Sequence, residues 1–498
     1  MELQFQKTAC KCLGRAAREI QNTELTQEIR LTDGMPDIGR VLASWGQVIL
    51  RSKEWRGDTV TVSGGVMVWV LYAPEDGSDP RSVDAWIPFQ LKWNLPTQDR
   101  EGPVRVLPLL RFVDSRTVSA RKIMVRAGVG AMGEALYPME AETYAPEELP
   151  EDVQILKRTY PVRLPKESGE KTFLVDEELS VSASAMPEKL LSYMLRPQIQ
   201  DKKVMVNKVV FRGASDLHLV YRGQDGRIHT WDTSLPFSQF AELEGEYSPD
   251  AQADVQTAVT SLELDLNDQG QLRLKCGLVS QYLVDDRELL ELTEDAYSPQ
   301  RGVEVRSQPL ELPSILEDRK ETVSAEQTLS GQNGDVADVV FLPDFPRCRR
   351  NSDGLDAELP GLFQVLYYGD DGMLRSATVR WEGNTHLPAG EDSRVDLLVQ
   401  PQGNPQARSS GEDMVLTGEI QLQANTTAER GLPMVMGLEL GELQEPDPNR
   451  PSLILCRPAG EDLWTLAKRC GSTMAAIQNA NNLQEEPPAD RILLIPVS

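Results

Sequence analysis

The chain is short of the residues on which much catalysis and metal chemistry depend. Among 498 residues there are three histidines, His218, His229 and His386, and six cysteines, and aromatic side chains make up only 6%. A Cys–His peptidase or a zinc amidase needs histidine in a fixed constellation, and three scattered ones supply no such signature. His218 and His229 flank a hairpin and are expected on a strand surface, and His386 precedes Pro388 in a loop. No His-Glu-x-x-His, Gly-x-Ser-x-Gly or phosphate-loop pattern occurs. We read a protein that is not an enzyme, with no catalytic residues, no metal ligands and no cofactor.

Cys10, Cys12, Cys276, Cys348, Cys456 and Cys470 are irregularly spaced, unlike a secreted disulfide framework. One residue separates Cys10 from Cys12, with no third cysteine or histidine beside them, so the pair is not read as a metal site. Cys456 and Cys470 are expected as free thiols. No run reaches the roughly 18 apolar residues of a membrane span. The stretch Met1 to Lys7 lacks the basic-then-apolar layout of a secretory signal. Both point to a cytoplasmic protein without membrane insertion. Positive charge is scarce too: 51 Lys and Arg against 77 Asp and Glu leave a net charge of −26. Such a chain repels phosphate backbones, which argues against nucleic acid, and it favours basic partner surfaces.

What the chain does have is repetition. Val68-Trp69-Val70-Leu71-Tyr72 runs into Glu75-Asp76-Gly77, Leu219-Val220-Tyr221 into Gln224-Asp225-Gly226, and Val365-Leu366-Tyr367 into Asp370-Asp371-Gly372. The tyrosines stand 149 and 146 residues apart. Each copy is a β-prone run followed by Asp-Gly, which closes a hairpin because glycine takes positive φ without a Cβ clash. About fifty residues beyond each tyrosine another alternating run follows, such as Leu272/Leu274/Cys276 against Arg273/Lys275, the period of a half-buried strand. The third copy matches least: Leu359 stands where the others have Gly64 and Gly213. Helical pattern is thin in these stretches, with one short helix expected at Pro187–Met194. The expected architecture is mainly β: three tandem modules at 1–150, 151–300 and 301–440, a proline-rich linker at 441–452, and a small α+β unit at 453–498.

That last segment reads strand, helix, helix, strand. Leu453-Ile454-Leu455 is strand-like, and Asp462 caps a helix whose Leu463, Leu466, Ala467 and Cys470 share one face. Gly471 ends it, Thr473 caps a second helix, Asn482 ends that one, and Ile492-Leu493-Leu494-Ile495 closes the unit. The ordered set Gly460, Leu463, Trp464, Ala467, Gly471, Ile477, Asn479, Asn482, Leu483 and Leu493-Leu494-Ile495-Pro496 resembles a LysM domain. Glu461-Asp462 stands where that family usually has Asp-Thr, and Ala489-Asp490 where it has Gly-Gln. The resemblance implies a shallow groove for N-acetylglucosamine glycans such as peptidoglycan, here formed by Gly460, Glu461, Asp462, Leu463, Trp464, Asn482, Leu483 and Ile492.

The amino-terminal part is similar to a second family. Gln27-Glu28-Ile29-Arg30-Leu31, Gly34-Met35-Pro36-Asp37-Ile38-Gly39-Arg40 and Val62-Ser63-Gly64-Gly65-Val66 resemble the SPOCS domain of spore-coat morphogenetic proteins. SPOCS modules followed by one LysM are that family's architecture. The resemblance implies a protein of the mother cell, seated at the forespore surface and active in spore coat assembly. Its LysM would touch the basal-layer coat ATPase rather than peptidoglycan. Two functions therefore stand from the sequence: a non-enzymatic scaffold, or a glycan-binding protein.

Overall fold

The structure, a computed structural model of the chain, describes all residues except 96–99, 182–185, 268–269, 429–430, 445–450, 459, 484–490 and 498. Half of the proline-rich linker, 445–450, and the Ala489-Asp490 stretch therefore lie outside the described residues.

One strand order occurs three times, mainly as antiparallel β-structure. The first unit contains β1 (Phe5–Arg30), β2 (Ile38–Arg56), β3 (Thr59–Pro74), β4 (Arg81–Asn94), β5 (Val104–Ser119) and β6 (Lys122–Pro146). They form two three-stranded sheets, β2-β3-β4 and β1-β6-β5. The second unit contains β7 (Gln154–Ser180), β8 (Pro187–Met205), β9 (Lys208–Gly223), β10 (Ile228–Glu242), β11 (Gln252–Leu266) and β12 (Gln271–Tyr297). Its sheets are β8-β9-β10 and β7-β12-β11. The third follows β13 (Val303–Ser307) and contains β14 (Ile315–Leu329), β15 (Asp335–Pro343), β16 (Arg347–Arg350), β17 (Gly354–Tyr368), β18 (Leu374–Pro388), β19 (Ser393–Ser410) and β20 (Asp413–Ala428). Here β17 pairs with β18 on one side and with β15 and β16 on the other, and β14-β20-β19 is the second sheet. β21 (Val435–Leu440) pairs back to β13.

The central strands are apolar on both faces, and each face has its own destination. Val68, Val70 and Tyr72 point into the first unit's core, as Leu217, Leu219 and Tyr221 do in the second and Phe363, Val365 and Tyr367 in the third. The alternate residues leave the unit. Trp69 and Leu71 meet Val220 and Leu366 in a shared cluster with Leu42, Trp45, Leu191, Met194, Ala337 and Val340. A strand buried on both faces reads as a continuous apolar run rather than an alternating one. The turn glycines Gly77, Gly226 and Gly372 sit at φ 75°, 79° and 72°, as the Asp-Gly hairpins require.

The helix expected at Pro187–Met194 is strand β8 instead, paired along its length with β9. The cause is a β-bulge between Leu190 and Ser192. One extra residue puts Leu191 and Met194, three apart, on the same face, which imitates helical spacing. The same irregularity recurs between Val41 and Ala43 in β2 and between Val336 and Asp338 in β15, placing Leu42 with Trp45 and Ala337 with Val340.

The three units close a ring, because each touches both others. From first to second, the Ser82 hydroxyl donates to the Leu191 carbonyl at 2.8 Å, and Gln281 exchanges two bonds with the Val106 backbone at 2.7 and 2.8 Å. From second to third, Arg227 pairs with Asp335 at 2.6 Å and Gln198 donates to the Pro401 carbonyl at 3.2 Å. From third to first, Arg111 grips Asp344 with two bonds of 2.6 Å, and Gln364 donates to the Val113 carbonyl at 3.1 Å. Contacts between unlike surfaces that return to their start make a closed ring rather than an open array.

Two outer pairs, β1/β6 and β7/β12, run on as long ribbons, and β13/β21 is a separate two-stranded sheet. Cys10, Cys12, Val162, Leu164 and Leu292 of the ribbons share a second apolar cluster with Leu310, which follows β13, and Met434, which precedes β21. The Cys10 thiol donates to Glu288 at 2.8 Å, and burial, with that carboxylate, pushes it up to about 12. A thiol held protonated is neither nucleophile nor metal ligand.

Candidate functional site

The carboxy-terminal unit consists of β22 (Leu453–Cys456), α1 (Leu463–Cys470), α2 (Met474–Asn481) and β23 (Leu493–Pro496), with β22 paired to β23. Local chemistry sets both helices. The Asp462 carboxylate accepts from the Thr465 N–H at 2.8 Å, and the Thr473 hydroxyl from the Ala476 N–H at 3.1 Å. Gly471 at φ 63° and Asn482 at φ 51° end the helices in the left-handed region. Leu463, Leu466, Ala467, Ile477, Leu493 and Ile495 fill the core. Asn481, which the sequence did not single out, stitches α2 to β23. Its amide donates to the Ile477 and Leu494 carbonyls at 2.8 and 2.6 Å, and its oxygen accepts from the Leu494 N–H at 2.8 Å.

The eight residues expected to line a groove divide into two groups. Gly460, at φ 86°, and Asp462 and Asn482 are exposed at the loops, and Ile492 is 56% exposed. Glu461 is half-buried against Arg469, with which it pairs, and Leu483 is half-buried. Leu463 and Trp464 lie apart from these, only 2% and 7% exposed. Leu463 is a core residue of the small unit.

Trp464 faces the second unit. Its indole N–H donates to Asp295 at 2.9 Å, and its ring meets Tyr297 edge-on with centroids 4.8 Å apart. Lys468 adds bonds of 2.8 and 2.6 Å to the same carboxylate, and the Tyr297 hydroxyl donates to the Ser472 carbonyl at 2.9 Å. Burial pushes Asp295 up, but the bonds from Lys468 and Trp464 outweigh it, and the carboxyl sits below its ordinary range. Helix α1 is thus fastened to the far end of β12, with Leu156 of β7 against the same cluster. Asp295 and Tyr297 carry no motif, and only the fold brings them to a segment some 170 residues later. What remains exposed or half-buried for a partner is the Gly460–Asp462 loop, Asn482, Leu483, Ile492, Leu453 and Leu455.

His218 is not on a strand surface. It is 5% exposed on the inner face of β9, whereas His229 is half-buried on β10 against Asp225 and His386 is an exposed residue of β18 paired with Asp356. Among the described residues no group of three or more His, Cys, Asp or Glu is arranged to hold a metal, and no helix is long and apolar enough to cross a membrane.

No curated protein and no solved structure matches the chain. A family model does, at residues 187–267, and its description is SipL, SPOCS domain. The matched stretch takes in β8, β9, β10 and β11, the whole of the second unit's inner sheet and the strand after it. It omits the long outer strands β7 and β12, and it lies in the second unit rather than at the first-unit residues that carry the sequence resemblance. By that match the second unit of this chain carries a SPOCS domain.

Proposed function

We propose that the chain is a non-enzymatic scaffold of spore coat assembly. In this reading the ring of SPOCS-like units is the body, and the carboxy-terminal βααβ unit is a LysM that engages a protein partner, the basal-layer coat ATPase, at the forespore surface of the mother cell. The observation that carries it is the SPOCS match at residues 187–267. The docked α1 supports it further, since a domain fixed to a rigid body suits a positioning role better than a tethered search for wall glycan.

Deleting 453–498 and substituting Ile492→Asp test the reading. Ile492 is exposed, so the charge is expected to leave the melting temperature unchanged while weakening binding to the purified ATPase at least tenfold. Leu463→Glu is the wrong variant, because a charge in that core unfolds the unit. If both variants keep the ATPase and lose insoluble peptidoglycan instead, the scaffold reading falls and the glycan-binding one replaces it.

A further inference from the structure

Where the three inner sheets meet, one polar cluster joins all three units. Asp338 of β15 accepts from the Trp45 indole of β2 at 2.7 Å and lies 2.9 Å from Nε2 of His218 on β9. Nδ1 of the same imidazole lies 2.7 Å from Asp232 of β10. Trp45, His218 and Asp338 are 3%, 5% and 4% exposed. Both ring nitrogens therefore face carboxylate oxygens, which only accept hydrogen bonds, so both must carry protons and the ring is an imidazolium.

We propose that His218 is a charge-dependent keystone: its imidazolium ties the first unit's tryptophan and the third unit's aspartate to the second unit, and the ring loosens where that proton is lost. A neutral imidazole has one donor. Deprotonation then turns a nitrogen lone pair toward either Asp232 or Asp338, leaving a buried contact that repels where it had attracted. The surrounding charges favour the cation. Asp216 shares β9 with His218, Asp232 is on β10 and Asp338 on β15, while Arg196 of β8 faces the same three carboxylates and donates to Asn404 of the third unit at 2.9 Å. Three carboxylates thus stand against one arginine and the histidine. Burial pushes the imidazole down, but Asp338 and Asp232 outweigh it and raise it to about 9.

The sign follows. A group held above its unfolded value of about 6.5 contributes fully below that pH and loses its contribution as pH rises through about 9. The keystone is closed at neutral pH and opens on the alkaline side.

The test uses the full chain labelled with ¹³C only at histidine, which gives three ring signals. The His218 signal is expected to stay in the cationic position at pH 8 and to titrate near 9. Alongside, the wild-type melting temperature is expected to be highest below pH 6.5, to fall by about 5 °C between pH 6.5 and about 9, and to lose no more to this group above that. His218→Gln is expected to melt lower at pH 7 and to show less than half of that alkaline fall. Trp45→Phe, which removes one donor and keeps the ring, is expected to leave the titration in place. A His218 signal that titrates below 7 overturns the proposal even if the variants fail to fold. So does an equal alkaline fall in wild type and His218→Gln.

Discussion

The second and third units solve one steric problem in opposite ways. In the second, Gly213 lies on the central strand beside a continuous β8, and a Cβ there would meet the Gln198 carbonyl oxygen at 2.1 Å and the Phe237 ring at 2.7 Å. Gly64 of the first unit is equally tight, 2.2 Å from the Ile49 carbonyl oxygen and 2.8 Å from Phe89. The third unit has buried Leu359 at this place, and its neighbouring strand is broken there. β15 ends at Pro343 opposite Gly361, and β16 resumes at Arg347 opposite Glu358. The interruption is put to use, since it frees Asp344 to hold Arg111 of the first unit and turns Phe345 inward against Leu107 and Met132. Close approach of the two strands needs a glycine, and without it the ladder opens and the released loop becomes an inter-unit contact.

The sharpest way to break the contrast is to exchange the residues. Gly213→Leu is expected to cost at least about 3 kcal/mol, because backbone atoms must move, and to leave the chain insoluble or melting more than about 10 °C lower. Leu359→Ala is expected to cost about 2–4 kcal/mol by denaturant melting, an ordinary cavity penalty, with the interruption retained. If Gly213→Leu is mild, the close approach is not what requires the glycine.

A second test moves to the contacts between units. Arg105, 3% exposed, bonds Glu134 at 2.9 Å within the first unit and pairs with Asp254 of the second at 2.5 Å, while Arg111 is half-buried on Asp344. Arg105→Ala is expected to cost about 3 kcal/mol, since buried Glu134 and half-buried Asp254 each lose one cationic partner, and Arg111→Ala about 1 kcal/mol. Burial pushes Glu134 up, but Arg15, Arg18 and Arg105 outweigh it and hold it at about 2, against an ordinary 4.5. A depressed carboxyl contributes above its unfolded value and loses that contribution as pH falls through its folded one. Wild-type stability is therefore expected to decline between about pH 4.5 and 2, and Arg105→Ala to decline less steeply.

The smallest effect is chemical. Cys348 is exposed and Cys456 half-buried, while Cys276 is buried with its thiol pushed up to about 11. A thiol reagent at neutral pH is expected to reach Cys348 first and Cys456 next, and Cys10, Cys12 and Cys276 only on unfolding, as mass spectrometry of timed samples reports. Early labelling of Cys10 or Cys12 would mean that the ribbon cluster opens readily.

Local chemistry was the part of the fold open to reading. Asp-Gly turns, Asp462 and Thr473 caps and the Gly471 stop each depend on neighbours within a few residues, and each is where the pattern places it. Leu191 and Met194 misled because a bulge shifts strand period toward helical period, and nothing local marks a bulge. Ring closure, the Asp295–Trp464 contact and the burial of His218 are matters of partners more than 100 residues away. Trp464 was named for exposure at a groove, yet it serves as an anchor, since an indole suits either and only the surroundings decide.

The register makes Ala43, Ser192 and Asp338 counterparts, because each pairs with the residue just before Tyr72, Tyr221 or Tyr367. Trp69, His218 and Gln364 correspond in the same way, three residues before those tyrosines. Three identical chains around a true threefold axis would be obliged to place three aspartates at the first position and three histidines at the second. Like charges would then converge where a single buried salt link now stands. Joining the units in one polypeptide removes that obligation: one copy supplies the acid, another the base, a third the indole, and their order around the axis becomes unique. Such a body has three-way shape but one-way chemistry. It gives the terminal unit a single seat, on Asp295 of β12, where a symmetric assembly would offer three.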